Sequence, residues 1–302
     1  MESAPRLTCF ARLRRLSTVA VVAMAVAVAG CSSSNTKSGG GSTTAQGSTG
    51  AAASQGATSK ILETVQRTKT LRVGTITGNP PFESLNKSGD LEGFDIDMIK
   101  AVAAKMGAKI EIVKTDVAGR VTVLQTGKAD VVVGSFTDTP DREKVVSFTG
   151  PINYEYVALV AKADSPLASV TDVNVAGKTV AGASGGTQAD TVPKALPNAK
   201  LVLLPGIADE IQAVISGQAD AAAVANTQIG TLVSQSGGKL KALTGQVSDN
   251  QKDCIGVPKD DPAWLKYVDG IVNQLNADGT TYTLTKKWFG SEPPDFASPP
   301  SS

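Results

Sequence analysis

Ser135, Thr137 and Arg142 fall within one short loop, and those side-chain types together suit the capture of a carboxylate. A guanidinium grips both carboxylate oxygens in a bidentate fork, and two hydroxyls with free backbone amides complete the receptor. Arg142 pairing with Asp138 or Glu143 on a solvated face is the bland alternative. A second segment, Ala183-Ser184-Gly185-Gly186-Thr187-Gln188, reads as a glycine-rich turn into a helix whose N-terminal amides favour an anion. Its spacing matches neither a Walker loop nor a dinucleotide fingerprint, so a carboxylate fits better than a phosphate. A turn that needs glycine only for its backbone angles is the alternative there. The chain has no histidine, which removes the commonest general base and transition-metal ligand, and neither a metal nor a cofactor is expected. Lys plus Arg at 29 nearly balances Asp plus Glu at 28, which favours a small-molecule partner over nucleic acid.

Strands and helices must position these loops. Residues 71–76 and 109–113 alternate as strands, and Val131-Val132-Val133 reads as a strand buried on both faces. Between the first two, Ile96, Ile99, Val102 and Met106 recur at helical spacing, with Asp95 expected to cap the helix and Gly107 to end it. Strand, helix, strand implies a parallel sheet. The run 124–131 (LQTGKADV) is then echoed at 214–221 (VISGQADA), each a helix end, a glycine and a strand opened by Asp. With further strands at 178–182, 201–204 and 220–224, the repeat predicts two similar α/β lobes facing each other across a cleft. Thr139 is expected to cap a helix begun by Pro140, which puts Ser135, Thr137 and Arg142 near one strand end.

The N-terminus fixes where the chain works. Arg12, Arg14 and Arg15 flank an apolar run over 19–29, and Val28-Ala29-Gly30 precedes Cys31. This resembles a bacterial lipoprotein signal, which implies that residues 1–30 are removed and that Cys31 is lipidated. The run is shorter than the roughly 20 residues a span needs, so the protein is expected to be anchored and not to span. Residues 31–59 carry the lipidated Cys and a Ser/Gly/Thr-rich flexible linker, and 291–302 read as a disordered tail. Cys254 is left without an intramolecular partner and reads as a small buried hydrophobe.

The segments Leu71-Arg72-Val73-Gly74, Asn79-Pro80-Pro81-Phe82, Leu91-Glu92-Gly93-Phe94-Asp95-Ile96-Asp97, Gly119-Arg120-Val121, the 124–130 run, Thr139-Pro140-Asp141-Arg142-Glu143 and Lys286-Lys287-Trp288-Phe289-Gly290 occur in that order. Together they resemble the polar amino-acid family of extracytoplasmic solute-binding proteins. The resemblance implies the α/β, two-lobe type II periplasmic binding fold, each lobe a mainly parallel sheet flanked by helices. Lobe 1 would comprise 60–154 and 253–290 and lobe 2 155–252, with hinge crossovers near 153–157 and 252–257. The implied function is a monomeric, lipid-anchored binding protein that hands an amino acid or related carboxylate to an ABC permease. It would not be an enzyme.

The resemblance also places the ligand carboxylate on Arg142, beside Ser135 and Thr137, with Gly186, Thr187 and Gln188 closing from the second lobe. Asn79 and Phe82 would lie near the ligand in the first lobe. The acid that usually neutralises an α-ammonium is missing, since Ala225 stands there, followed by Asn226 as a weaker substitute; Ile76 stands where binders of basic amino acids often carry an acid. Cationic ligands are therefore disfavoured. The runner-up is an enzyme similar to cyclohexadienyl dehydratase, which would need a carboxylic acid in the cleft; Glu83 and Glu155 are candidates, but both read more simply as surface or hinge-edge residues.

Overall fold

The computed structural model describes residues 58–300, within one compact unit that runs from Ser54 to Ser302. The signal, Cys31 and nearly all of the linker lie outside the described residues. Among the described residues no helix is long and apolar enough to cross a membrane.

Two five-stranded sheets form the body. The first has the order Lys109–Lys114, Thr70–Thr75, Val131–Val132, Gln251–Pro258, Val146–Glu155; the second has the order Leu240–Ala242, Val157–Lys162, Ala221–Ala225, Thr179–Ala183, Lys200–Leu204. In each sheet four strands run one way and one runs against them, Gln251–Pro258 in the first and Val157–Lys162 in the second, so each sheet is mixed with most of its strands codirectional. The reason lies in the connections. Val146–Glu155 passes through Tyr156 straight into Val157–Lys162, leaving one sheet as it enters the other. Gln251–Pro258 returns alongside, with Gln251 opposite Glu155. The Val247 amide still donates to the Val157 carbonyl of the second sheet, so the return crossing falls at 248–250, and the expected crossover at 252–257 is a strand inside the first sheet.

The internal repeat is structural. Gly127 (φ 64°) and Gly217 (φ 80°) both occupy the left-handed position that ends a helix, where a Cβ is costly. The Asp that follows then ties down the neighbouring parallel strand: Asp130 accepts the Arg72 amide at 2.8 Å and pairs with its guanidinium, while Asp220 accepts the Thr179 amide at 2.8 Å and pairs with Lys178. Each lobe has its own apolar core, with Phe82, Phe94, Met98 and Trp264 in the first and Leu159, Val180, Val192 and Leu196 in the second.

Three expectations are corrected. Asp95 does not cap the helix Phe94–Lys105; Gly93 does, and Asp95 sits inside the first turn, buried. Ser59, read as the end of the linker, caps the helix Lys60–Thr68 by accepting the Leu62 amide, and its hydroxyl donates to Asp261. The tail is packed as far as it is described: Phe296 lies edge-on to Tyr154 at 5.2 Å, Ala297 is buried and the Ser298 amide donates to the Asn276 carbonyl. One aromatic anchor and the stiffness of four prolines reduce the entropy lost on docking, which the polar composition of the segment conceals.

Candidate functional site

The two sheets meet around a narrow interlobe cavity of about 40 Å³, enough for a few waters. Ser135, Thr137, Arg142, Asn79, Gly186, Thr187 and Gln188 line it, as do Arg120, Glu155, Ala225 and Gln228. Two expected residues lie elsewhere. Phe82 is fully buried against the Phe94 and Phe289 rings because its position faces the core. Asn226 is turned to the crossover strand, where its side-chain oxygen accepts the Tyr156 amide and its own amide donates to the Tyr156 carbonyl.

The first lobe supplies the charge. Thr139 accepts the Arg142 amide and Pro140 opens the helix Pro140–Glu143, which orients the Arg142 side chain along the loop that precedes it. Arg142 Nη1 donates to the Thr137 carbonyl at 2.6 Å and Nη2 reaches across to the Gly185 carbonyl at 2.8 Å. Neither Asp138 nor Glu143 is its hydrogen-bond partner. Arg120, unassigned in the sequence reading, is only 3 % exposed and is clamped by the carbonyls of Val117, Gly134 and Ser135, with Nη2 also reaching the Gly185 carbonyl at 3.3 Å. Both guanidinium carbons lie over the Phe136 ring, 4.9 and 5.0 Å from its centre. Two guanidiniums converging on one oxygen define an anion site. Burial, and then the like charge of Arg142, bring Arg120 down to about 9; burial also lowers Arg142.

Four buried acids surround this pair. Asp95 Oδ2 accepts the amides of Gly134 and Ser135 at 2.8 and 2.7 Å, which holds Ser135 in the left-handed region (φ 48°), a conformation costly outside glycine. Ser135 Oγ donates to Glu155 Oε1 at 2.8 Å, and Asn79 Nδ2 donates to Glu83 Oε1 at 2.9 Å. Glu83 and Glu155 are thus buried rather than surface groups, and Glu155 sits at the hinge edge, as the last residue of its strand before the crossing at Tyr156. Burial raises Asp95 to about 6 and Glu155 to about 7, and pushes Glu83 and Asp253 well above the ordinary carboxylate range. The remaining oxygens, Glu83 Oε2, Asp95 Oδ1, Glu155 Oε2 and Asp253 Oδ1, have no donor if every acid is ionised. Glu83 interacts with Asp95 and Asp253 with Glu155, and in each pair the interaction lowers the second-named acid, which suits a carboxyl proton held between the two.

The second lobe supplies backbone and neutral groups. The strand Thr179–Ala183 ends in the glycine turn, and the helix Gln188–Ala195 follows, as the sequence suggests. Gly185 has φ 79°, and a Cβ there would lie 2.5 Å from the Ala118 backbone of the first lobe, so only glycine permits this approach. Gln188 donates to the Ala223 carbonyl, Thr187 Oγ1 to Gln251 Oε1, and Gln228 Nε2 to Asn79 Oδ1 across the cleft. Arg120 and Gln228 escaped the sequence reading, and Glu155 entered it only as a candidate acid of the enzyme alternative. Arg120 stood in a quoted motif, Gly119-Arg120-Val121, without a role, whereas Gln228 had no local signal.

Two α/β lobes joined by paired crossovers, with an anion site in the cleft, define a class of small-molecule binding protein. Residues 71–291 match the model of the bacterial extracellular solute-binding proteins, family 3, and the chain belongs to that family. It is 28 % identical over 232 residues to a probable amino-acid ABC transporter-binding protein of Haemophilus influenzae, covering 76 % of this chain and 89 % of the relative. It is 30 % identical over 224 residues to a glutamine-binding protein of Geobacillus stearothermophilus, covering 72 % and 83 %. Among solved structures, an ancestral amino acid-binding protein described as a precursor of cyclohexadienyl dehydratase superposes with a TM-score of 0.70 at 32 % identity, covering 76 % of this chain and 99 % of that one. This chain is therefore an extracytoplasmic solute-binding protein and not an enzyme.

Proposed function

We propose that this chain is the receptor of an ABC importer, capturing an amino acid or a closely related small carboxylate and tethered to the membrane by lipid on Cys31. It acts as a monomer, and lobe 1 (60–155 with 251–290) and lobe 2 (156–250) close on the ligand about the crossovers. The observation that carries this reading is the convergence of Arg142 and Arg120 on the Gly185 carbonyl within the interlobe cavity. A ligand carboxylate there exchanges with that carbonyl and gains a bidentate, charge-assisted grip. The names of the relatives, with amino-acid and glutamine binding among them, support the ligand class.

Native mass spectrometry of the purified protein, followed by calorimetry with the proteinogenic amino acids and simple carboxylates, tests capture; absence of binding across the panel overturns it. The anchor has its own test. Full-length protein expressed in a bacterial host should partition into detergent, and a Cys31→Ser variant should not.

A further inference from the structure

We propose that Glu155, on the crossover strand, accepts the α-ammonium of an amino-acid ligand in place of the acid absent at Ala225, so that capture of an amino acid competes with a proton. The inference rests on the capture proposed above and concerns how the second end of the zwitterion is held.

Among the described residues Glu155 is the one acid lining the cavity; Glu83, Asp95 and Asp253 stand behind the wall. The second-lobe lining, Ala183, Gly186, Thr187, Gln188, Ala225 and Gln228, carries no charge that could neutralise an ammonium. Glu155 is also in the right place. Its Oε1 is held by Ser135 Oγ at 2.8 Å, on the loop that carries the carboxylate receptor, and an α-ammonium lies only one carbon away from the carboxylate it accompanies.

The groups facing Glu155 decide its charge. Burial opposes ionisation, as do the neighbouring acids Asp95 and Glu83, whereas hydrogen bonds from Ser135 and Asp253 and the charges of Arg120 and Arg142 favour it. Burial raises Asp253 well above the ordinary carboxylate range, and its hydrogen bond lowers Glu155, which suits Asp253 as the donor of the pair. Glu155 is therefore the member that titrates near neutrality, at about 7. An arriving ammonium stabilises the carboxylate and draws off any proton it still carries. Above that pH Glu155 is already ionised and capture releases no proton. Below it, each unit of pH should weaken amino-acid binding about tenfold, down to the pH at which the ligand-bound Glu155 itself protonates.

Calorimetry from about pH 5 to about pH 9 tests this, with L-glutamine and L-glutamate compared with glutaramate and glutarate, the same molecules without the ammonium. The expected result is binding of at least one of the amino acids, with affinity falling below about pH 7 and proton release detected from the buffer dependence of the heat. The counterpart without the ammonium should bind at least about tenfold more weakly near neutrality and lack that acid-side loss. Glu155→Gln should abolish the pH dependence and the preference for the ammonium.

Should Glu155→Gln fail to fold, Asp253→Asn serves as the second variant. Its amide donates to Glu155 as the protonated Asp253 does, so the break in the profile should persist near about pH 7; a flat profile in this variant would place the titration on Asp253 and overturn the role of Glu155. Amino-acid affinity that is flat across the range, or a folded Glu155→Gln protein that keeps both affinity and preference, overturns the role of Glu155 and leaves capture standing. Failure of all four probes, together with a blank panel, overturns both.

Discussion

Buried acids lie in both lobes, but in unequal company. In the first lobe Glu83, Asp95, Glu155 and Asp253 stand together around Arg120 and Arg142, and each has one oxygen held by a donor. In the second, Glu210 is fully buried in the helix Ile207–Ser216, and neither of its oxygens has a hydrogen-bond partner. Burial affects all of them, yet with opposite consequences. The first set keeps charge at a wall of the cleft, where a ligand can use it; the lone acid can be accommodated only by keeping its proton, and burial raises it to about 8. Paired burial thus preserves ionic chemistry, whereas solitary burial extinguishes it.

The largest expected effect breaks the first set. Arg142→Ala removes the donors to the Thr137 and Gly185 carbonyls and leaves the surrounding acids with one fewer counter-charge. Affinity for the amino acid or carboxylate that binds best should fall by about 3 kcal/mol or more, about a hundredfold, in calorimetry. Arg142→Lys should fare little better, since a point charge cannot reproduce the fork.

The difference between the lobes also explains what the sequence disclosed. The Arg142 loop and the Gly185 turn were readable because each is local: a cap, a proline and a glycine run are spaced by a few residues. The repeat was readable for the same reason, as Asp130 and Asp220 do the same work after the same glycine. The acid cluster was not, because Glu83, Asp95, Glu155 and Asp253 come from four separated segments and meet only once the return strand has crossed. Asp95 looked like a cap and Glu155 like a hinge-edge residue, which is what isolated acids at element ends usually are. The packed tail was hidden because its one aromatic anchor, Phe296, stands among polar residues and prolines.

A smaller effect, on stability, sharpens the same contrast. A carboxyl whose folded pKa lies above its ordinary 4.5 holds its proton more tightly when folded, so Glu210 costs nothing in acid, and stability declines as the pH climbs from about 4.5 to about 8. Glu210→Gln should therefore melt with wild type near pH 4. At about pH 9 it should be the more stable by an amount on the order of 5 kcal/mol, less whatever an unpaired amide costs in the same place. Thermal melts across that range read the sign directly. A gap that is constant with pH would mean that Glu210 finds a counter-charge in solution.

The smallest expected effect separates charge from closure. Gln228 Oε1 accepts the Ala225 amide and Nε2 donates to Asn79 Oδ1 across the cleft, while Asn79 in turn donates to Glu83. Gln228→Ala leaves a buried amide and a buried amide oxygen without partners when the lobes are closed, but water can satisfy both when they open. The penalty, about 1–2 kcal/mol, therefore falls on the closed state alone. Scattering should show a larger radius of gyration than wild type without ligand, and saturating ligand should restore the wild-type value. Because Gln228 carries no charge, the loss of affinity should be nearly equal for ligands with and without an ammonium, whereas a change in their ranking would mean that Gln228 touches the ligand and is more than a latch.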